Sequence, residues 1–271
     1  MSLYSSAKPL SDFYRLKEHL PILALAFAPF AAAGFPDWRL FALDLAATFL
    51  ALSSIYSVNN FFDSISGERN PAGSVRRLSG KAPAFFLSIL PGIASVFLGS
   101  LLPGKCFFLL LAILLIFLAY SADFPRARNI PGPDFLLNVL GFYLVFAKSY
   151  FLYFKETGAF FIAFSVFIVS FYSVSEAVHQ LAHEREDSRL GRKTLFGILG
   201  RGGAIALSAA LLALPIIFWR GLPSAASLAF SALRLFSVAS TSGDFRALRK
   251  ELYGREELAV QLALFAFLVP A

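Results

Sequence analysis

Several chemistries are closed to this chain by what it lacks. Among its 271 residues there is one cysteine, Cys106, so neither a disulfide framework nor a thiolate metal site can be built. Cys106 sits beside Phe107-Phe108-Leu109-Leu110 and reads as ordinary packing. Charged residues make up only 15% of the chain, against roughly 25% in a soluble domain. That is too little charge to clothe a water-facing surface. The weakly alternating segments of about ten residues that mark a transmembrane β-barrel are missing too. A cleavable targeting segment is not expected: the first twenty residues carry Lys8, Arg15, Lys17 and Glu18 with no apolar core, and no small-residue cleavage pattern follows the first hydrophobic run.

What the chain has is apolar length. Hydrophobic residues make up 58% and the mean hydropathy is +0.69. Nine continuous apolar runs are expected as helices, at about 19–35, 40–62, 83–103, 105–121, 133–153, 157–182, 194–218, 221–240 and 257–271. Most are long enough to cross about 30 Å of hydrocarbon. No soluble domain fits between them. The expectation is an all-α integral membrane protein with one transmembrane helical domain over residues 1–271, embedded in the lipid bilayer.

A net charge of +7 would fit nucleic acid, but its distribution argues against that partner. Lysines and arginines crowd onto alternate loops: Lys8, Arg15 and Lys17; Arg69, Arg76, Arg77 and Lys81; Arg126 and Arg128; Arg185 to Arg201; Arg246 to Arg255. The opposite loops hold only Arg39, Lys105, Lys155 and Arg220. By the positive-inside rule the rich side is cytoplasmic. A multi-pass cell-membrane protein with its polar clusters facing the cytoplasm is expected. Lys148 and Arg234 fall inside apolar runs, where snorkelling and a cavity-facing cation are the two readings.

Two polar clusters end apolar runs on that side. In Asn59-Asn60-Phe61-Phe62-Asp63 the residues Asn59 and Asp63 are four apart and share a helix face. An amide carbonyl and a carboxylate are hard oxygen ligands of the kind magnesium takes when it bridges to a diphosphate. The plain alternative is that these residues cap and solvate a helix end. In the second cluster Glu176, His179, His183 and Asp187 form one helical stripe, with Gln180 and Glu184 beside it. Arg185, Arg189, Arg192 and Lys193 follow, a supply of positive charge for phosphate oxygens. With only three histidines in the chain, a membrane di-iron site does not fit.

Three motifs in order make the chain resemble the UbiA-type superfamily of intramembrane prenyltransferases, over nearly its whole length. The first family motif, Asn-Asp-x-x-Asp-x-x-x-Asp, reads here as Asn59-Asn60-x-x-Asp63-x-x-x-Gly67, trailed by Glu68-Arg69-Asn70-Pro71. The middle motif, Tyr-Ser-x-Pro-Pro-Leu-Arg-x-Lys, is similar to Tyr120-Ser121-Ala122-Asp123-Phe124-Pro125-Arg126-Ala127-Arg128, with Asp134 and Asn138 following. The last, Asp-x-x-x-Asp with Gly and Thr after it, reads as His183-x-x-x-Asp187-x-x-x-Gly191-x-x-Thr194, then Gly200. Asparagine, glycine and histidine thus stand at positions 60, 67 and 183, where the family has aspartates.

The resemblance implies nine transmembrane helices around a central cavity and a magnesium-assisted transfer. A polyprenyl group would pass from an allylic polyprenyl diphosphate to a lipophilic acceptor. It implies Asn59, Asp63 and Asp187 as catalytic residues and Mg2+ ligands. Asn60, Glu68, Arg69, Tyr120, Arg126, Arg128, Asn138, His183, Arg192 and Lys193 are implied in substrate binding. The alternative is a catalytically degenerate UbiA-like protein that binds isoprenoids or acts as a scaffold.

Overall fold

Apolar residues in unbroken runs leave the main chain one way to satisfy its N–H and C=O groups without water, which is helix. The computed structural model describes residues 12–65, 80–121, 127–189 and 191–218. Among these are seven α-helices and no strand: α1 Leu16–Ala32, α2 Trp38–Ile65, α3 Lys81–Gly99, α4 Gly104–Ser121, α5 Pro133–Tyr153, α6 Ala159–Arg189 and α7 Leu195–Phe218. The first seven expected runs are all helical, and the runs at 221–240 and 257–271 lie outside the described residues. Five of the described helices, α2 to α6, are long and apolar enough to cross a membrane. An all-helical membrane protein is what the apolar runs demanded.

The chain forms two compact units. The first comprises residues up to Arg126 together with Ala147–Tyr153, the last turns of α5. Its hub is α2, against which α1, α3 and α4 pack. Asp37 starts α2 by accepting the N–H groups of Arg39 and Leu40 at 2.9 and 3.1 Å, an N-cap that satisfies two otherwise orphaned donors. The α2–α3 seam is built from small residues. Ser54 and Ser57 donate to the Ser88 carbonyl at 2.9 and 3.1 Å, and Ser95 donates to that of Ala47 at 2.7 Å. A Cβ at Gly92 would lie 2.7 Å from Ser54 Oγ, so glycine is what lets the backbones approach.

Pro91 interrupts the hydrogen bonding of α3, having no N–H to offer the Leu87 carbonyl. Tyr14 supplies the missing donor, its hydroxyl lying 2.9 Å from Leu87 O. Burial raises the Tyr14 phenol above its ordinary pKa, which keeps it a donor.

The second unit takes Ala127–Phe146 and the chain from Phe154 onward. Its core joins Phe135 and Val139 of α5, Ala177, Val178 and Leu181 of α6, and Phe196 and Ala204 of α7. The α6 helix runs well past its apolar portion, through the polar stripe to Arg189. Between α6 and α7 the chain reverses at Gly191, whose φ of +69° is left-handed. The Arg192 N–H reaches the Asp187 carbonyl at 2.8 Å and the Gly191 N–H that of Ser188 at 3.2 Å. This bond pair is a Schellman cap, for which glycine is the favoured residue.

Candidate active site

Each unit carries one of the polar clusters. On α2 the Asn59 amide donates to Asp63 Oδ2 at 3.2 Å, as their four-residue spacing requires. Asp63 is 6% exposed, in the last turn of the helix. Asn60, one residue round the helix, is fully buried and donates to the Phe13 carbonyl at 2.8 Å. Sequence reasoning placed Asn60 with the substrate; the structure gives it the task of tying α2 to the segment before α1.

At the end of α6 the Arg192 guanidinium lies 3.5 Å from the Asp187 carboxylate. The Schellman reversal brings this about by folding residue 192 back over residue 187. The His179 and His183 rings meet along the stripe, tilted by 52° with centroids 5.0 Å apart. Lys193 and Glu184 are exposed. Deeper in, Asn138 of α5 donates to Glu176 Oε2 at 2.6 Å, and Gln180 donates to Glu176 Oε1 at 3.0 Å. Asn138 was expected to meet substrate, and its observed partner is Glu176.

The N-terminus of α7 is capped by three different elements. Leu195 N–H meets Asp134 Oδ2 at 3.0 Å and Phe196 N–H meets Gln180 Oε1 at 3.1 Å. Gly197 N–H meets Thr194 Oγ1 at 3.1 Å, and Ile198 N–H meets the Thr194 carbonyl at 3.1 Å. The first three of these satisfy donors that a helix leaves open at its start, and the fourth is the first bond within the helix itself. The Gly and Thr of the last motif therefore have structural duties, one as a helix stop and one as a helix start.

Tyr120 is half-buried in the last turn of α4. Glu68, Arg69 and Arg126 lie outside the described residues, as does the Arg128 side chain.

The sequence matches the UbiA prenyltransferase family over residues 20–266. The chain belongs to that family. No curated protein matches it in sequence. Among solved structures it is similar to a UbiA homolog from Archaeoglobus fulgidus bound to GPP and Mg2+, at 18% identity and a TM-score of 0.68. That likeness covers 94% of this chain and 100% of the homolog. The same homolog bound to DMAPP and Mg2+ aligns at 17% identity and a TM-score of 0.67, covering 94% and 99%. A UbiA homolog from Aeropyrum pernix K1, solved in the apo form, aligns at 17% identity and a TM-score of 0.62, covering 92% and 94%. The fold is that of the UbiA homologs.

The donor set on α2 fits a magnesium ion. Asn59 and Asp63 bring an amide carbonyl and a carboxylate one helical turn apart, both hard oxygen ligands. Among the described residues no three His, Cys, Asp or Glu side chains gather as a metal site. An ion held by this UbiA-family chain would thus draw most of its coordination from water and diphosphate oxygens, the habit of magnesium.

Sequence reasoning passed over Asp44, which is fully buried and bound by Lys148. The available signal was an acid within an apolar run, whose partner had to be another ionisable residue in such a run. Glu176, on the polar stripe, and Gln180, beside it, reach α5 and α7, contacts that helical spacing alone does not reveal.

Proposed function

We propose that the protein is a magnesium-assisted membrane prenyltransferase that moves a polyprenyl group from an allylic polyprenyl diphosphate to a lipophilic acceptor. The observation that carries this reading is the Asn59–Asp63 pair, half-buried at the end of a membrane-length helix in a chain of the UbiA family. The homologs bound to GPP or DMAPP together with Mg2+ support the donor class and the metal.

In this reading the allylic C1–O bond breaks and its electron pair leaves with the diphosphate. The acceptor's nucleophilic atom then bonds to C1 and gives up its proton to solvent or a nearby base. Magnesium, when bound, offsets the negative charge that develops on the leaving oxygens. Asn59 and Asp63 hold it, and Asp187 serves as the carboxylate of the second cluster. Arg192 and Lys193 offer fixed positive charge to phosphate oxygens, which counts for most where water is scarce. The basic loops support a cytoplasmic entry for the diphosphate, and the apolar helices support a tail lying within the bilayer.

A second reading, an isoprenoid-binding protein without transfer activity, is favoured by one observation. The Asp187 carboxylate already has the Arg192 guanidinium beside it, in a chain that lacks aspartate at positions 60, 67 and 183.

The deciding experiment gives purified protein labelled geranylgeranyl diphosphate, Mg2+ and a membrane extract as acceptor source. Wild type is compared with Asp63→Ala and Asp187→Ala. Diphosphate release that depends on Mg2+ and falls in both variants supports transfer. Equal release in all three proteins removes it and leaves the binding reading.

A further inference from the structure

Outside the aspartate motifs, a buried amide and a buried carboxylate, Gln180 and Glu176, meet the half-buried amide of Asn138. Glu176 is 5% exposed and Gln180 is 3% exposed. A primary amide has nearly the same shape when turned by 180°, but the turn exchanges an acceptor for two donors. In the Gln180 side chain that choice decides whether the Phe196 N–H has a partner.

Glu176 makes the choice. Its Oε1, 3.0 Å from Gln180 Nε2, calls for a donor, while its Oε2 accepts from Asn138 at 2.6 Å. The NH2 end of Gln180 must therefore face Glu176, which sends its oxygen to the Phe196 N–H at 3.1 Å. The opposite orientation would set oxygen against oxygen and N–H against N–H in a site with little water to relieve them. Asp134 braces the adjoining residue by accepting from Leu195 N–H. The segment from Asp187 to Thr194 is thus pinned at its base by Gln180 on Phe196 and closed at its tip by Arg192 on Asp187.

We propose that Glu176 and Gln180 are positioning residues: by enforcing one orientation of the Gln180 amide they fix the start of α7 and so the course of the loop that brings Arg192 and Lys193 back beside Asp187. The role assigned to that loop rests on the prenyltransferase reading above. The orientation relay itself does not.

The test is an exchange of the two side chains. Glu176→Met alone removes the acceptor that orients the Gln180 amide and leaves the donors of Asn138 and Gln180 without it. Gln180→Glu alone sets two carboxylates together. The double variant E176Q/Q180E re-forms the relay with its polarity reversed: the new amide at 176 accepts from Asn138 and donates to the new carboxylate at 180, which still accepts from Phe196 and forgoes only the donation of Gln180 to Asp134. Deuterium exchange over residues 195–196 and the KM for magnesium-bound geranylgeranyl diphosphate are measured in all four proteins. Each single variant is expected to speed exchange and raise KM about tenfold, the factor that accompanies loss of roughly one buried hydrogen bond, with kcat changed much less. The double variant is expected to return both towards wild type.

Wild-type exchange and KM in Glu176→Met would overturn the proposal. So would a double variant that melts like wild type yet exchanges like the singles. If the singles do not fold, the double decides alone: native exchange supports the relay, and failure to fold refutes it. Should wild type prove inactive, the transfer reading falls, while the exchange arm still decides the relay.

Discussion

Lys148 of α5 donates through Nζ to the carboxylate of Asp44 on α2, and neither side chain has any exposed surface. Ser149 Oγ donates to the other Asp44 oxygen at 2.6 Å, and Cys106 Sγ lies 3.3 Å from the Lys148 carbonyl. Of the two readings open to a lysine in an apolar run, neither snorkelling to the interface nor facing a substrate describes this one. Its charge is met by an aspartate 104 residues away in the chain. Removing one partner leaves a buried ion without compensation, at a cost of about 3–5 kcal/mol. Lys148→Met and Asp44→Leu should each lower the detergent-solubilised melting temperature sharply, and the double variant should recover most of the loss. Single variants that melt like wild type would show the pair to be dispensable.

Tyr14 and Pro91 make a second coupled pair through the Leu87 carbonyl. Tyr14→Phe removes the donor and should cost about 1 kcal/mol. In a Pro91→Ala background the restored N–H can bond Leu87 within the helix, so the same change should cost much less. A double-mutant cycle on unfolding midpoints measures the coupling directly. Additive costs would mean that the hydroxyl does not serve the proline's orphan.

The α7 helix is broken at Gly200, with φ 64° and ψ −179°, a region essentially reserved for glycine. A Cβ there meets nothing within 4 Å, so the cost of Gly200→Ala comes from backbone strain alone, about 1–3 kcal/mol. Gly191 needs only the ordinary left-handed region, where alanine costs about 1–2 kcal/mol. Chemical unfolding should rank the two variants with Gly200→Ala the less stable.

Sidedness can be read from one thiol. Ser188 is exposed at the end of α6, and Cys106 is buried. In a Cys106→Ala background, Ser188→Cys should react with a membrane-impermeant maleimide in inverted vesicles and stay unlabelled in intact cells. The reverse pattern would place the basic loops outside.

Helix positions were largely legible because they depend on local composition: the run expected at 133–153 is Pro133–Tyr153, and that at 105–121 is Gly104–Ser121. The α6 helix exceeds its expected span because a polar stripe at helical spacing carries the helix beyond its apolar part. The Asn59–Asp63 contact was legible for the same reason, being set by a four-residue spacing. Partnerships between distant helices were not. A lone lysine in an apolar run announces that it needs a counter-charge without saying which. Asn60 and Asn138 looked alike as polar residues near the motifs, yet one serves a main-chain carbonyl and the other a buried acid. The motif residues Gly191 and Thr194 could be matched by spacing, while their capping duties needed the backbone to be seen.

The side-chain capping of α7 has a consequence for anions. A helix that begins with open amides attracts phosphate through its main chain and its dipole, and no side-chain mutation can remove that attraction. Here Asp134, Gln180 and Thr194 already occupy three of those donors. A phosphate arriving at this turn must be met by arginine, lysine or an ion. Its hold on the protein there is therefore sensitive to salt and open to change by single substitutions, which leaves headgroup preference at this turn free to drift while the fold stays put.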